Sequence, residues 1–424
     1  MNFNPSDITQ KSSGMNRREF LAAGAMVMAA GIAPSRVLGA NDRIRLGLIG
    51  SGARGQEDLR DALRQPNVEC VAIADIYSRR RDEAKAIVAS AELYDDPRRL
   101  LDRKDIDAVI IATPLHLHAQ HLLAAIAAGK DAYSEKTLTW SIPEAVECRR
   151  AVKASRQVVQ VGLQHESDGD LADARQWIKD GLVGKVTLVE SWMSRNSPHG
   201  KGQWVRSIPA DCDPLHVNWP LFLGDRPASA FDVQKYVNWR LFWEFSGGNV
   251  TENMVHQIAW IMSALGLAEP LAATMSGGVF SEKDGREVPD TIAVTLEFAN
   301  DMVVVWQSTF SNQRFGLGEH ILGSDGTIKH VSGATDMVTG KYESFVRYYP
   351  EKTNRPDGAT IEGKSRGEDH MANWMTCIRA RNQATNAPIE TGYKSAVAAH
   401  MANLAYRQRR RITIEEAMAA KPSF

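Results

Sequence analysis

A chain of 424 residues is longer than a single hydrophobic core usually grows, so two domains are expected. Its 50 Lys and Arg side chains nearly balance 51 Asp and Glu, and the net charge of −1 gives no overall field to draw nucleic acid or an anionic membrane surface. The four scattered cysteines (Cys70, Cys148, Cys212, Cys377) form no C-x-x-C pair and no histidines pair at metal-ligand spacing, so buried thiols are expected, with one disulfide as the alternative and no metal.

The first 40 residues read as an export segment. Asn16-Arg17-Arg18-Glu19-Phe20-Leu21 precedes a mildly apolar, Ala/Gly-rich run from Ala22 to Ala33, then Pro34 and the small residues Gly39-Ala40. That is a twin-arginine signal, with an apolar run shorter than the ~20 residues of a membrane span. Cleavage near Ala40 is expected to leave a periplasmic protein without a membrane span.

From Arg43 the pattern changes. Ile44, Leu46, Leu48 and Ile49 form an apolar run that ends in Gly50, Gly52 and Gly55, spaced G-x-G-x-x-G. In a strand-turn-helix unit these glycines allow a tight turn, the approach of a pyrophosphate and close helix–strand packing. A second buried strand, Val68 to Ala74, ends at Asp75, 20 residues past Gly55, where a carboxylate can accept hydrogen bonds from an adenosine ribose. Asp75 therefore favours NAD, while Arg79, Arg80 and Arg81 leave NADP possible. A helical segment at Ser78 to Ser90, a strand at Ile106 to Thr113, a helix at Ala119 to Ala128 closed by Gly129, and a short strand ending at Glu135-Lys136 follow. Strands alternating with helices predict a doubly wound parallel sheet, a Rossmann domain over residues 41–164, with Lys136 at the cofactor crevice.

Beyond Gln164 a second α/β domain over residues 165–424 is expected. A helix at Asp170 to Asp180 and a strand at Lys185 to Met193 open it. Thr291 to Phe298 and Met302 to Thr309 alternate around Ala299-Asn300-Asp301, and His320 to Leu322 and Thr327 to His330 flank Ser324-Asp325-Gly326. Hairpins of this kind predict a large, mainly antiparallel open sheet. Helices at Gly367 to Arg381 and Tyr393 to Arg407 are expected to pack back. Five of the ten tryptophans fall between Trp192 and Phe245; their faces suit the C–H faces of sugars, with Asn218, Asp232, Asn238 and Arg240 near enough in sequence to bond hydroxyls. Trp239 and Arg240 are the substrate candidates there.

Two stretches resemble a known family. TPLHLHAQHLLAAIAAGKDAYSEKTLT is similar to the TPxxxH…AGKHV…EKP signature of the glucose-fructose oxidoreductase, inositol dehydrogenase and MocA family, and GLIGSGARG resembles its opening. Threonine (Thr137) stands where the family has the proline of EKP. Gly247 to His256 resembles its GGxxxDxxxH segment, with Glu252 at the Asp position. The resemblance implies a nicotinamide site formed by Gly50, Gly52, Ala53, Arg54, Gly55, Asp75, Thr113, Pro114, His118, Glu135 and Lys136. It also implies catalysis by Lys136, His256 and Glu252, a substrate contact at Asn253, and homo-oligomers built through the outer face of the open sheet. Removing hydride from a carbinol requires a base on its hydroxyl, which Lys136 or His256 can supply. His165 and His199 read as ordinary loop or core histidines. The expected function is an NAD(P)-dependent oxidoreductase acting on a sugar, polyol or glycoside, with tightly held cofactor in a closed redox cycle. An NAD-dependent glycosidase and a non-catalytic cofactor-bound binding protein are the alternatives.

Overall fold

The structure, a computed structural model, describes residues 42–313, 316–335 and 340–421. The twin-arginine segment and the cleavage site near Ala40 lie outside the described residues. From Ile44 onward the chain forms one compact unit holding two sheets.

The first sheet is built from β1 (Ile44–Ile49), β2 (Val68–Ala74), β3 (Glu92–Tyr94), β4 (Ala108–Ile111), β5 (Asp131–Ser134) and β6 (Val159–Val161), in the order β3-β2-β1-β4-β5-β6. All pairings are parallel. Apolar runs such as β4, AVII, buried at every residue, form because helices cover both faces and leave no side polar. One covering helix comes from far along the chain: His370–Ala380 packs Met371, Trp374, Met375 and Ile378 into the same cluster as Leu46 and Leu48. The sequence pattern does not signal β3, β6, the short helix Pro97–Leu101 or the helix Ile142–Lys153, and the helix expected to reach Ser90 ends at Lys85. β3, β6 and Pro97–Leu101 are too short to carry a period of their own.

The second sheet contains β7 (Val186–Met193), β8 (Ala272–Gly278), β9 (Thr291–Phe298), β10 (Met302–Thr309), β11 (Leu317–Gly323), β12 (Gly326–Thr335), β13 (Tyr342–Pro350), β14 (Ile361–Glu362) and β15 (Ile412–Thr413). Their order is β14-β13-β12-β11-β7-β10-β9-β8-β15, antiparallel except where β7 meets β10. The β9–β10 hairpin turns through Asn300 and Asp301 at φ 66° and 58°, a left-handed conformation that Asn and Asp tolerate. Burial alternates along β9, so one face of the sheet is covered and the other is more open. Helices Val255–Leu265 and Ile389–Gln408 pack against each other on the covered side, and the longer one also meets helix Ile142–Lys153 of the first sheet.

Residues 194–245 form a long, mostly irregular segment laid against the first sheet. Tyr77 pairs as an isolated bridge with Val217, the Tyr77 hydroxyl donates to Asp211 (2.7 Å), and Asn218 N–H donates to the Ile76 carbonyl (2.9 Å). His116 Nε2 donates to the Phe222 carbonyl at 2.6 Å. Phe222 is fully buried in a cluster with Trp219 and Phe245. All four cysteines are buried and free. Among the described residues no cluster suits a metal ion, and no helix is long and apolar enough to cross a membrane.

Candidate active site

Two cavities of about 370 Å³ each meet where the sheets meet. The first runs along the C-terminal ends of β1, β2, β4 and β5. Gly50 there has φ +89°, and a Cβ would press to 2.8 Å from the Ala112 main chain. A Cβ on Gly55 would overlap the Gly50 carbonyl oxygen, so the third glycine permits the helix to cross the strand end. Gly52 differs, because its φ is −64° and a Cβ would meet nothing within 4 Å. It precedes helix Ala53–Leu63, whose first turn has no side-chain cap, so N–H groups and open space together face the cleft. These features fit the pyrophosphate of a dinucleotide.

Asp75 lines the same cleft. Its carboxylate accepts from the Ser51 and Tyr77 N–H groups (2.7 and 2.9 Å) and the Ser51 hydroxyl (3.2 Å), while burial raises its pKa. The neighbouring arginines are occupied. Arg79 reaches Glu83 and Asp211 (both 3.1 Å), Arg80 reaches Glu83 (2.7 Å), and Arg81 donates to the Asp75 carbonyl (2.6 Å). Of the three, Arg80 lines the cleft. Ala53, Thr113 and Pro114 line it as well. His118 is a strut, its Nδ1 and Nε2 lying 2.7 and 2.8 Å from the carbonyl oxygens of Thr137 and Thr113. Arg54 crosses from its helix to Glu135 (2.9 Å), which also accepts from the Lys136 N–H (3.1 Å) and from Gln164 (3.1 Å). Glu135 thus fixes the backbone that carries the lysine.

Lys136 stands at the junction of the two cavities with Glu252 and His256. The Lys136–Thr137 peptide bond is cis. Lys136 Nζ donates to the Glu252 carbonyl oxygen at 2.7 Å and lies 3.6 Å from its carboxylate, whose nearer partner is Arg240 Nε at 2.9 Å. Burial pulls the lysine pKa below its usual value, against the attraction of Glu252 and Glu135. Burial alone would raise the Glu252 carboxyl, but Arg240 and Lys136 more than offset it and hold it below the ordinary carboxylate range.

The stretch that carries Glu252 and His256, Ser246 to about Leu265, reads from its sequence as one helix, and the structure corrects this. Val250–Met254 winds as one π-helical turn, and the α-helix proper is Val255–Leu265. The cause lies in the carbonyls: those of Thr251 and Glu252 accept from the Thr137 hydroxyl (2.5 Å) and from Lys136, so side chains enter the helical ladder and widen it. The wide turn carries Glu252 and Asn253, and the next turn carries His256. His256 Nδ1 is buried without a partner among the described residues. Burial, and then the Lys136 cation, push its pKa well below the usual histidine value, so its neutral form dominates near neutral pH.

The second cavity extends from this junction toward β7, β11 and β12. Arg240 and Asn253 line it; Trp239 does not, facing the dinucleotide cleft instead and stacking under Arg240 at 4.3 Å. The tryptophans that do line it are Trp204 and Trp260. Asn218 and Asp232 cap short helices and Asn238 holds the Arg206 N–H, so local hydrogen bonding consumes the groups expected to bind hydroxyls. His199 is exposed, as an ordinary loop histidine would be. His165 is not ordinary: it lines the cavity with its ring 5.8 Å from that of His256, edge to face, and its Nδ1 is 2.7 Å from Asp168. Burial disfavours its charge, but Asp168 more than compensates and its pKa lies above the usual value. No local spacing signals His165, since it follows β6 and meets His256 only in three dimensions.

Residues 44–163 match the oxidoreductase family model for an NAD-binding Rossmann fold, and residues 228–414 match that family's C-terminal alpha/beta domain. An inositol 2-dehydrogenase of Klebsiella pneumoniae (strain 342) is 37% identical over 155 residues, 34% of this chain and 44% of that protein, so the chain spans under half the length of this relative. A glycosyl hydrolase family 109 protein of Stenotrophomonas maltophilia (strain K279a) is 41% identical over 390 residues, 80% of each chain. A levoglucosan dehydrogenase solved with NADH and levoglucosan shares the fold at TM-score 0.66 and 18% identity, covering 88% of this chain and 99% of its own. With both domain models matched in order, the chain belongs to the glucose-fructose oxidoreductase, inositol dehydrogenase and MocA family of NAD-binding oxidoreductases.

Proposed function

We propose that the protein is a nicotinamide-dependent oxidoreductase of a sugar or glycoside that holds its cofactor through a closed redox cycle. The observation that carries this is the shared wall of Lys136, Glu252 and His256 between a dinucleotide-shaped cleft and a polar cavity. When bound, the nicotinamide supplies hydride acceptance and return. The chain's own part is proton handling. Neutral His256 accepts the carbinol proton, Lys136 stabilises the developing oxyanion, and the ionised Glu252 keeps the lysine in place.

Tight retention is supported by the segment at 194–245, which supplies Arg206, Pro209, Phe222 and Tyr236 to the cleft and is tied to Tyr77 and His116. The segment thus forms part of the cleft wall against which a dinucleotide would lie. The Arg17-Arg18 motif supports export by the twin-arginine pathway, which carries folded, cofactor-loaded proteins to a compartment expected to lack a recycling NAD(H) pool. A closed cycle follows from that reading, and the resemblance to the family separately supports an oligomer built on the open face of the second sheet.

A second reading is favoured by the two histidines. Adjacent titrating groups whose pKa values are pushed apart form an acid–base pair. His256 would serve as base and His165 as acid in an NAD-dependent glycosidase. In that sequence the sugar is oxidised at C3, the acidified C2 proton is removed, the aglycone is eliminated, water adds and the ketone is reduced again. The relative named for glycosyl hydrolase family 109 supports this reading.

The test is to purify the protein, measure bound NAD, and add glycosides and free sugars without cofactor. Many turnovers per protein are expected, with released aglycone indicating hydrolysis and paired oxidised and reduced sugars indicating transhydrogenation. Protein that emerges empty and turns over only with stoichiometric NAD would overturn the closed cycle.

A further inference from the structure

The second cavity carries more positive charge than proton handling requires. Its charged walls are Lys136, Arg195, Arg206 and Arg240 against Glu252 and Glu319. Lys136 and Arg240 are both engaged with Glu252, and Glu319 lies 2.9 Å from His330 Nδ1. That leaves two guanidiniums over. Among the described residues no carboxylate lies within ion-pair distance of Arg195, whose guanidinium contact is the Met193 sulfur at 3.7 Å, and none pairs with the Arg206 guanidinium either. Burial lowers the pKa of both, with the distant Glu252 charge as an opposing influence. Arg195 is partly buried and Arg206 exposed; a guanidinium held without a carboxylate partner in the wall of a cavity beside a reaction centre points to an anion that arrives with the ligand.

The rest of the wall fits the remainder of such a ligand. Trp204, only partly buried, gives the cavity a flat apolar face, while Trp260 is buried with its ring stacked on His330 at 4.2 Å. The C–H face of a sugar would cover the Trp204 indole. Arg206 borders both cavities and could alternatively meet the dinucleotide phosphates, whereas Arg195 faces the second cavity alone.

We infer that the substrate is an acidic sugar, and that Arg195 anchors its oxyanion group while Lys136 and His256 handle the carbinol. The inference rests on the oxidoreductase reading for the chemistry but is tested by binding. NAD-loaded protein is titrated, by tryptophan fluorescence, with matched pairs of methyl glycosides of the gluco, galacto and manno series: the neutral hexoside and the corresponding hexuronide, with 6-phosphate and 6-sulfate esters as further arms. At least one acidic member is expected to bind on the order of 10–100-fold more tightly than its neutral partner, the range expected for one charge-assisted bidentate contact. The arm that wins names the oxyanion. In Arg195→Met the ratio is expected to fall toward one, and Arg195→Lys should restore it in part. The inference is overturned if no acidic member binds at least tenfold more tightly, or if the preference survives in Arg195→Met. Absorbance at the reduced-nicotinamide band, recorded in the same titrations, reports separately on the oxidoreductase reading: acidic binding without any absorbance change supports the anchor while refuting the chemistry.

Discussion

Lys136 and Glu252 are joined twice, by a 2.7 Å hydrogen bond from Nζ to the main-chain carbonyl and by a 3.6 Å approach of the same ammonium to the carboxylate. The first contact holds the lysine on the π-helical turn, and the second opposes the effect of burial, which disfavours its charge. Lys136→Ala should therefore lower turnover by about 10²–10⁴ while changing dinucleotide affinity little. A variant with near-normal turnover would remove the lysine from the chemistry.

The same pair sets a pH dependence. Burial, then Lys136, disfavours the His256 imidazolium, so the acid limb of kcat/KM should lie well below pH 6.5. Deleting the neighbouring cation makes protonation of His256 easier, which raises its pKa. The acid limb of the residual Lys136→Ala activity should consequently move to higher pH; a limb that stays in place or moves down contradicts His256 as the base.

Two glycines of one motif should behave differently. Gly55→Ala drives a Cβ into the Gly50 carbonyl and should destabilise the fold by about 1–3 kcal/mol or more. Gly52→Ala meets only open space at an ordinary φ, so melting temperature should hold while NAD affinity falls about tenfold or more, because the methyl occupies the path of the pyrophosphate. Thermal melts and cofactor titration of both variants check this. Equal NAD affinity in Gly52→Ala and the unmodified protein would place the dinucleotide elsewhere.

Much of this site was legible in the sequence because its signals are local. The glycine spacing, Asp75 after an apolar strand and Lys136 at a strand end each depend on a few consecutive residues, and the β9–β10 hairpin shows in its alternation. Trp204, Arg195 and His165 were not legible. His165 follows β6 whereas Arg195 and Trp204 lie in the segment after β7, and the three line one cavity only in three dimensions. Trp239 was misplaced for a related reason: composition marked an aromatic segment, but which ring faces which cavity depends on how residues 194–245 lie against Tyr77.

Cofactor choice follows from occupied arginines. With a buried carboxylate at Asp75, a 2′-phosphate would meet repulsion, and Arg79, Arg80 and Arg81, the arginines that follow it in sequence, are each engaged elsewhere. NAD should bind at least about tenfold more tightly than NADP to protein stripped of cofactor. Tighter NADP binding would contradict the assignment.

His165 separates the two catalytic readings. If it is the acid that protonates a departing aglycone, His165→Ala should retain the first oxidation, seen as reduced-nicotinamide absorbance, and lose aglycone release by about 10²-fold or more. Equal loss of both steps would place His165 in sugar binding alone.

The central claim, that a sugar carbinol loses its proton to His256 where the two cavities meet, is tested most directly by rapid mixing. Protein carrying one equivalent of oxidised NAD is mixed with the sugar found active in the substrate panel, beside His256→Ala carrying the same amount. Absorbance at the reduced-nicotinamide band should rise in a single burst in the unmodified protein and be slowed at least about 10²-fold in the variant at equal sugar occupancy. A burst of the same rate in both would contradict the account.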